Sequence, residues 1–178
     1  MSDTRVLVAY FSPHGSTREA AEKIANTVKG ELYEITPAEP YTEKDLDYKD
    51  KNSRTSVEMS DPNCRPALGG EPLKLKNYDV IYLGFPVWWG REPSIVDSFL
   101  DAYDWKNKFI FPFYTSGGMS SKRTAERLQN LVGRDAKVME GRRVGGTISE
   151  ADLKIWFDEI SANDDSASGT SNGVGTIL

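Results

Sequence analysis

The hydrophobic positions of the chain alternate between short unbroken apolar runs and stripes with helical spacing. The unbroken runs, at residues 5–11, 79–85 and 108–115, are typical of strands that are covered on both faces. The stripes follow them, at residues 16–29, after Pro93 and at residues 119–132. This alternation predicts a parallel α/β sheet with helices on both faces.

Two shorter strands complete the predicted sheet. Residues 31–35 form the second strand, after Gly30 ends the first helix, and the alternation at residues 136–140 indicates an edge strand. Pro112 lies inside the strand at residues 108–115 and has no N–H to donate to a sheet ladder. We therefore expect a bulge or a local gap at that position.

The chain is expected to form one domain over residues 1–162. The polar segment at residues 36–77 is too long for an ordinary connection, so it should contain a short helix or serve a site. Ser149 and Asp152 resemble a capping box. They begin a last amphipathic helix whose apolar positions are Leu153, Trp156, Phe157 and Ile160. Residues 163–178 are rich in Ser and Gly and are expected to be a flexible tail.

Composition excludes several classes of function. Among the 178 residues, 38% are hydrophobic, and no apolar run approaches the ~20 residues of a membrane helix. The N-terminus lacks the features of a signal peptide, so a cytoplasmic location without a membrane partner is expected. The net charge of −5 and the lack of a basic run argue against nucleic-acid binding. An acidic surface suits either solubility or a basic redox partner.

The single cysteine limits the metal and redox chemistry that the chain can support. Because Cys64 is the only cysteine, the chain can form neither an intrachain disulfide nor a cysteine-based metal cluster. We expect Cys64 to be an inert small side chain.

In doubly wound sheets, ligands bind beyond the carboxyl ends of the strands, where the strand order reverses. The loop after the first strand, residues 12–17, carries hydroxyls and a glycine at a helix N-terminus, which suits a phosphate. It has neither the GxxxxGK[ST] nor the GxGxxG spacing, so a single phosphate held by neutral donors is favoured. A plain capped helix fits the same residues equally well.

The loops after the third and fourth predicted strands, at residues 79–85 and 108–115, add an aromatic surface and backbone donors. Successive side chains point in different directions, so at least one of Trp88 and Trp89 should lie near the surface, where an indole can stack on a planar ligand. Packing, or binding of a partner, is the alternative for this pair. Gly117 and Gly118 could present N–H groups to a heterocycle, although Gly-Gly is also a common turn.

Three segments, YFSPHGST, GFPVWWGREP and YTSGGMS, resemble the three FMN loops of the flavodoxin family. The resemblance covers residues 4–161 and implies a flavodoxin-like doubly wound, five-stranded parallel sheet in the order 2-1-3-4-5 that binds FMN. It implies phosphate contacts from Ser12, His14, Gly15, Ser16 and Thr17. It implies that the flavin ring is bordered on one side by Pro86, Val87, Trp88, Trp89 and Gly90, and on the other by Thr115, Ser116, Gly117 and Gly118.

Three functions are compatible with this resemblance. The first is an electron carrier between redox partner proteins, and the second is an NAD(P)H-dependent FMN reductase of quinones or a similar small electron acceptor. The third, a non-redox signalling or binding domain, is weaker, because a receiver domain needs carboxylates where Phe11 and Ser12 follow the first strand. No dinucleotide motif is visible, which favours the carrier. In either redox function the flavin performs the chemistry, so no catalytic side chain is expected.

Overall fold

The computed structural model describes residues 4–115, 121–144, 149 and 151–158. Residues up to 144 belong to one compact unit, and the remaining described residues belong to a second. The strands of the first unit are β1 (Val6–Tyr10), β2 (Glu31–Glu34), β3 (Val80–Phe85), β4 (Phe109–Tyr114), β5 (Lys137–Val138) and β6 (Arg142–Arg143). Its helices are α1 (Ser16–Val28), α2 (Arg54–Ser60), α3 (Ser94–Asp101) and α4 (Ser121–Val132), with a 3-10 turn at Leu75–Asn77. None of the described helices is both long and apolar enough to cross a membrane.

All the strands run parallel, and the sheet confirms the predicted order 2-1-3-4-5. The register aligns Leu7 with Ile81, and Ile81 with Ile110, across the three central strands. These three side chains are fully buried, as unbroken apolar runs require. Because the central strands are parallel, their carboxyl ends and the loops after them lie at one edge of the sheet.

Helices cover both faces of the sheet, as predicted. The face that carries Leu7, Ile81 and Ile110 packs against apolar side chains of α3 and α4, among them Phe99 and Leu128. Helix α1 packs against β1 and β2 on the opposite face, where Arg18 lies over the ring of Tyr10. Helix α3 ends at Asp101, so Tyr103, predicted on its apolar stripe, lies just beyond the helix and contacts Phe99 at a ring-centroid distance of 5.4 Å.

The edge of the sheet is interrupted beside Pro112. Strand β4 is continuous against β3, with Pro112 opposite Leu83. On its other side β4 pairs with two short strands, so the predicted edge strand is split into β5 and β6. The carbonyls of Ile110 and Tyr114 accept bonds on that side. Pro112 lies between these two residues and directs its backbone to the same side of β4, but it has no N–H that could donate to a neighbouring strand. The local gap therefore lies on one side of β4 only, and the described part of the sheet contains six strands because the predicted fifth strand is in two pieces.

Glycine at two positions allows close packing of neighbouring elements. Gly30 was predicted to end α1, but Lys29 takes the left-handed conformation there, with φ of 54°. A Cβ at position 30 would lie 3.3 Å from Val6 Cγ1, so the glycine lets the chain pass close to β1. In β3, a Cβ on Gly84 would lie 2.2 Å from the ring of Phe113, which is fully buried beside it.

The segment between β2 and β3 has an ordered structure of its own. An isolated antiparallel bridge between Pro37 and Leu68 brings two parts of the segment together outside the sheet. Helix α2 lies within it, and the Ser53 hydroxyl accepts a hydrogen bond from the Ser56 N–H as its N-cap. The prediction of a short helix in this segment is therefore confirmed.

The second unit contains helical residues 151–158. The Ser149 hydroxyl accepts a bond of 3.1 Å from the Asp152 N–H and donates one of 2.8 Å to the Asp152 carboxylate. The capping pair that was predicted to begin the last helix is therefore present. The tail at residues 163–178 lies outside the described residues.

Candidate functional site

The loop between β1 and α1 is held in shape by Ser12. The Ser12 hydroxyl accepts hydrogen bonds from the N–H groups of Gly15 and Arg18, at 3.1 and 3.0 Å. Gly15, at the N-cap, has φ of 96°, a conformation that L side chains rarely adopt. Ser12 therefore caps the helix from three residues upstream of Gly15, and its hydroxyl is engaged within the loop.

Two backbone donors at the start of α1 have no acceptor among the described residues. Within the described part of the chain, the N–H groups of Ser16 and Thr17 donate to no protein atom, and Ser16 is exposed. Thr17 is buried, and its hydroxyl lies 2.8 Å from the hydroxyl of Thr115 at the end of β4. The structure thus joins the first loop to the start of the third, and it leaves a positive helix terminus open to an anion. Ser116, Gly117 and Gly118 lie outside the described residues.

The loop after β3 forms a tight two-residue turn. The N–H groups of Trp88 and Arg91 donate to each other's carbonyls at 2.9 and 3.1 Å. Trp89 and Gly90 between them have φ of 48° and 75°, so the turn is type I′. A positive φ is unusual for a bulky residue such as tryptophan and costs about 1 kcal/mol or more. The turn therefore maintains Trp89 in a strained conformation.

The two indoles of this turn have different environments. Trp88 is half-buried and packs edge-on against Phe11 and Tyr41, at ring-centroid distances of 5.5 and 5.8 Å. Trp89 remains 52% exposed. Pro86 before them is buried, and Val87 is partly buried. Of the two tryptophans, Trp89 is the one available for stacking, and Trp88 anchors the turn to the core.

A buried polar network anchors the segment between β2 and β3 beneath Trp88. The Tyr41 hydroxyl donates to a Glu58 carboxylate oxygen at 2.6 Å, and burial raises the pKa of Tyr41. The Arg54 guanidinium lies 3.9 Å from the centre of the Tyr41 ring and donates to Glu58 at 2.9 Å. Because each charged group here has a partner, the network holds Tyr41 in place against Trp88.

Arg91 connects the turn to two helices. Its side chain is 13% exposed, and it donates to the Met59 carbonyl of α2 at 3.1 Å. Its guanidinium also lies 3.5 Å from the Asp97 carboxylate of α3. The backbone of Arg91 closes the turn, so these contacts fix the position of the turn relative to α2 and α3.

Two buried carboxylates lie behind the turn. Glu92 is fully buried and accepts bonds of 2.8 and 3.2 Å from the Arg127 guanidinium. Asp97 is equally buried, but neither of its oxygens has a hydrogen-bond partner among the described residues. A guanidinium nitrogen of Arg65 and one of Arg127 each lie 3.8 Å from an Asp97 oxygen, which is within ion-pair distance but too long for a hydrogen bond.

Burial, followed by the neighbouring Glu92, raises the pKa of Asp97 from 3.8 to about 8. The folded protein therefore keeps a proton on Asp97 at a pH where the unfolded chain has released it. This carboxyl stabilises the fold fully below about pH 4, and the contribution is lost as the pH rises towards 8.

A pocket of about 320 Å³ lies between the turn and the segment that contains α2. It is lined by His14, Leu46, Tyr48, Thr55, Val87, Trp88 and Trp89. His14 is exposed and belongs to this pocket, whereas Gly15 and Ser16 are at the helix terminus. The segment at residues 36–77 thus supplies one wall of the pocket.

The sequence model of the family described as Flavodoxin matches residues 5–160. The chain belongs to the flavodoxin family. Among solved structures, it is similar to a candidate flavoprotein from Bacteroides eggerthii DSM 20697, with 42% identity and a TM-score of 0.82 over 89% of this chain and 99% of that one. A candidate flavoprotein from Bacteroides uniformis ATCC 8492 is similar at 43% identity, with a TM-score of 0.79 over 88% and 99% of the two chains.

A flavoprotein in complex with FMN from Lactobacillus acidophilus NCFM shares the flavodoxin fold at 22% identity. Its TM-score is 0.65, over 87% of this chain and 99% of that one. No curated protein matches the chain.

Sequence reasoning missed the charged residues that support the site of this flavodoxin-family chain. Arg91 and Glu92 directly follow the two tryptophans, and Asp97 lies in an otherwise apolar stretch. The sequence offered one signal for Asp97, which is a carboxylate within an apolar helix stripe. Charged groups are rarely buried without partners, so such a residue indicates that charged partners lie nearby.

Proposed function

We propose that this flavodoxin-family protein binds one FMN non-covalently and carries electrons between partner proteins. The observation that carries the proposal is the combination, at one edge of the sheet, of two open N–H donors and an exposed indole in a strained turn. Strained residues that the surrounding structure maintains cluster at functional sites. FMN, when bound, supplies the reversible uptake and release of electrons.

The described residues fit the chemical parts of FMN. The N–H groups of Ser16 and Thr17 suit the phosphate, because an anion is favoured at a helix N-terminus. Ser12 and Gly15 keep that terminus open. Trp89 presents an exposed face suited to a flat ring, and Thr115 links the third loop to the first through Thr17.

Chromatography of the flavin released on denaturation tests the identity of the cofactor. We expect FMN from protein expressed in a flavin-sufficient host, and a dominant FAD peak would contradict the proposal. Titration of flavin-free protein should show that FMN binds more tightly than riboflavin by about 100-fold, because charge-assisted bonds to the phosphate contribute about 3 kcal/mol. Equal affinities for FMN and riboflavin would contradict a phosphate-binding role for the start of α1.

The second candidate is an NAD(P)H-dependent reductase of a small acceptor. The pocket of about 320 Å³ beside Trp89 favours it, because a carrier that meets only large partners needs no such cavity. Anaerobic addition of NADPH to the FMN-loaded protein separates the two functions. Bleaching of the flavin absorbance without another protein supports the reductase, and an unchanged spectrum supports the carrier.

A further inference from the structure

We infer that the pocket between Trp89 and the segment that contains α2 is a second binding site for a small, flat, uncharged aromatic molecule, separate from the proposed FMN site. The inference rests on the proposed function in one respect. It takes the flavin ring to lie between the second and third loops, as the family resemblance implies.

The sheet order separates the two sites. Strand β4, which leads into the third loop, lies on one side of β3. Strand β2, which leads into the segment at residues 36–77, lies beyond β1 on the other side. The pocket is lined by that segment, by His14 and by the turn, and Thr115 of the third loop is absent from its lining. The described walls of the pocket therefore come from the first loop, the turn and the segment after β2, and none of Ser16, Thr17 and Thr115 lines it.

The side chains of the pocket define the chemistry of its ligand. Of the seven described residues that line it, four carry rings, namely His14, Tyr48, Trp88 and Trp89, and none of these seven is an acid, a lysine or an arginine. Aromatic walls favour flat aromatic ligands through stacked and edge contacts. A charged ligand would lose its hydration without gaining an ionic partner, so an uncharged ligand is favoured.

The polar groups of the pocket are few. The Thr55 hydroxyl is committed to the Asp45 carbonyl at 2.7 Å. His14 is exposed and has no protein partner within the described part of the chain, so its imidazole can bond one hydroxyl or carbonyl oxygen of a ligand. A volume of about 320 Å³ is at the small end for ligand pockets, which suits two fused rings.

The test is calorimetric titration of 2-naphthol into FMN-free and FMN-loaded protein. The comparison compounds are 2-decalol, which has the same skeleton without aromatic rings, and 2-naphthoate, which carries a charge. We expect 2-naphthol to bind both forms with affinities within threefold, and each comparison compound to bind at least tenfold more weakly. Loss of 2-naphthol binding on FMN loading would show that the pocket is the flavin site. Equal binding of 2-decalol, or no binding of 2-naphthol, would also overturn the inference.

Variants locate the site. Tyr48→Ala removes an exposed pocket wall and should weaken 2-naphthol binding at least fivefold, and Leu46→Trp should fill the pocket and weaken it at least tenfold. Val57→Ala is the matched control, because Val57 is an exposed residue of α2 that does not line the pocket. It should leave binding within twofold. Unchanged binding in Tyr48→Ala would contradict the inference even if Leu46→Trp fails to fold. The FMN affinity, measured in parallel, tests the proposed function separately.

Discussion

Replacing Trp89 by alanine should weaken FMN binding without a comparable loss of stability. An aromatic side chain presents roughly 200 Å² of surface, and 52% of that of Trp89 is exposed, which leaves about 100 Å² for a ligand. Covering half of this area, with the remainder left to line the neighbouring pocket, contributes about 1.25 kcal/mol at 25 cal/mol per Å². The expected increase in Kd is therefore about eightfold. Stacking of bases on aromatic side chains has the same magnitude, about 1–3 kcal/mol.

Trp88→Ala is the matched control, because it removes the same side chain from the adjacent position. Trp88 packs against Phe11 and Tyr41, so we expect a loss of about 3 kcal/mol in the free energy of unfolding. The FMN affinity of the folded protein should change less than in Trp89→Ala. Fluorescence titration with FMN and urea denaturation of the flavin-free proteins measure the two quantities.

The strain at position 89 allows a further comparison. Trp89→Gly removes the same indole as Trp89→Ala but tolerates a positive φ, so it should be more stable than the alanine variant by about 1 kcal/mol. Both variants should lose FMN affinity equally. The reasoning is refuted if Trp88→Ala weakens FMN binding and Trp89→Ala does not, or if the alanine and glycine variants are equally stable.

Two further predictions concern stability. Asp97→Asn should remove a pH-dependent penalty, so that its stability relative to the wild type rises by about 1.4 kcal/mol per pH unit between pH 5 and 7. Urea denaturation across this range measures it, and Asp101→Asn, which alters an exposed carboxylate of the same helix, should show no such slope. Gly84→Ala should destabilise the fold by about 1–3 kcal/mol through overpacking against Phe113. In thermal denaturation, Phe113→Leu should cost less in the Gly84→Ala background than in the wild type, and strict additivity would contradict this.

The strands, the helices and the positions of the three loops could be predicted because they depend on local periodicity. The conformation of Trp89 could not be predicted, because type I′ turns usually carry Asn or Gly at that position. Packing of Trp88 and the contacts of Arg91 maintain it, and these are tertiary contacts. The split of the edge strand had a partial signal in Pro112, but the sequence did not show which side of β4 would lose its partner.

The sequence predicted candidate site residues in three loops. The structure adds residues from elsewhere in the chain, among them Leu46 and Tyr48. Phosphate binding by the first loop stays a prediction, and the structure adds that the Ser12 hydroxyl accepts bonds that cap α1 and that His14 lines the neighbouring pocket. The wall formed by Leu46 and Tyr48 could not be predicted. It depends on how the segment after β2 folds back through buried contacts of Glu58, which periodicity does not encode.

The interrupted edge beside Pro112 has a consequence for how copies of this protein meet in concentrated solution. An intact outer strand offers a continuous row of backbone donors and acceptors on which another chain can add a strand, and such templating leads to aggregation. Here the outer row consists of two pieces, Lys137–Val138 and Arg142–Arg143, each only two residues long. Three of these four residues are cationic, and charged side chains oppose the approach of a like edge. The proline that breaks the ladder therefore also protects this border of the sheet from adding strands of neighbouring molecules.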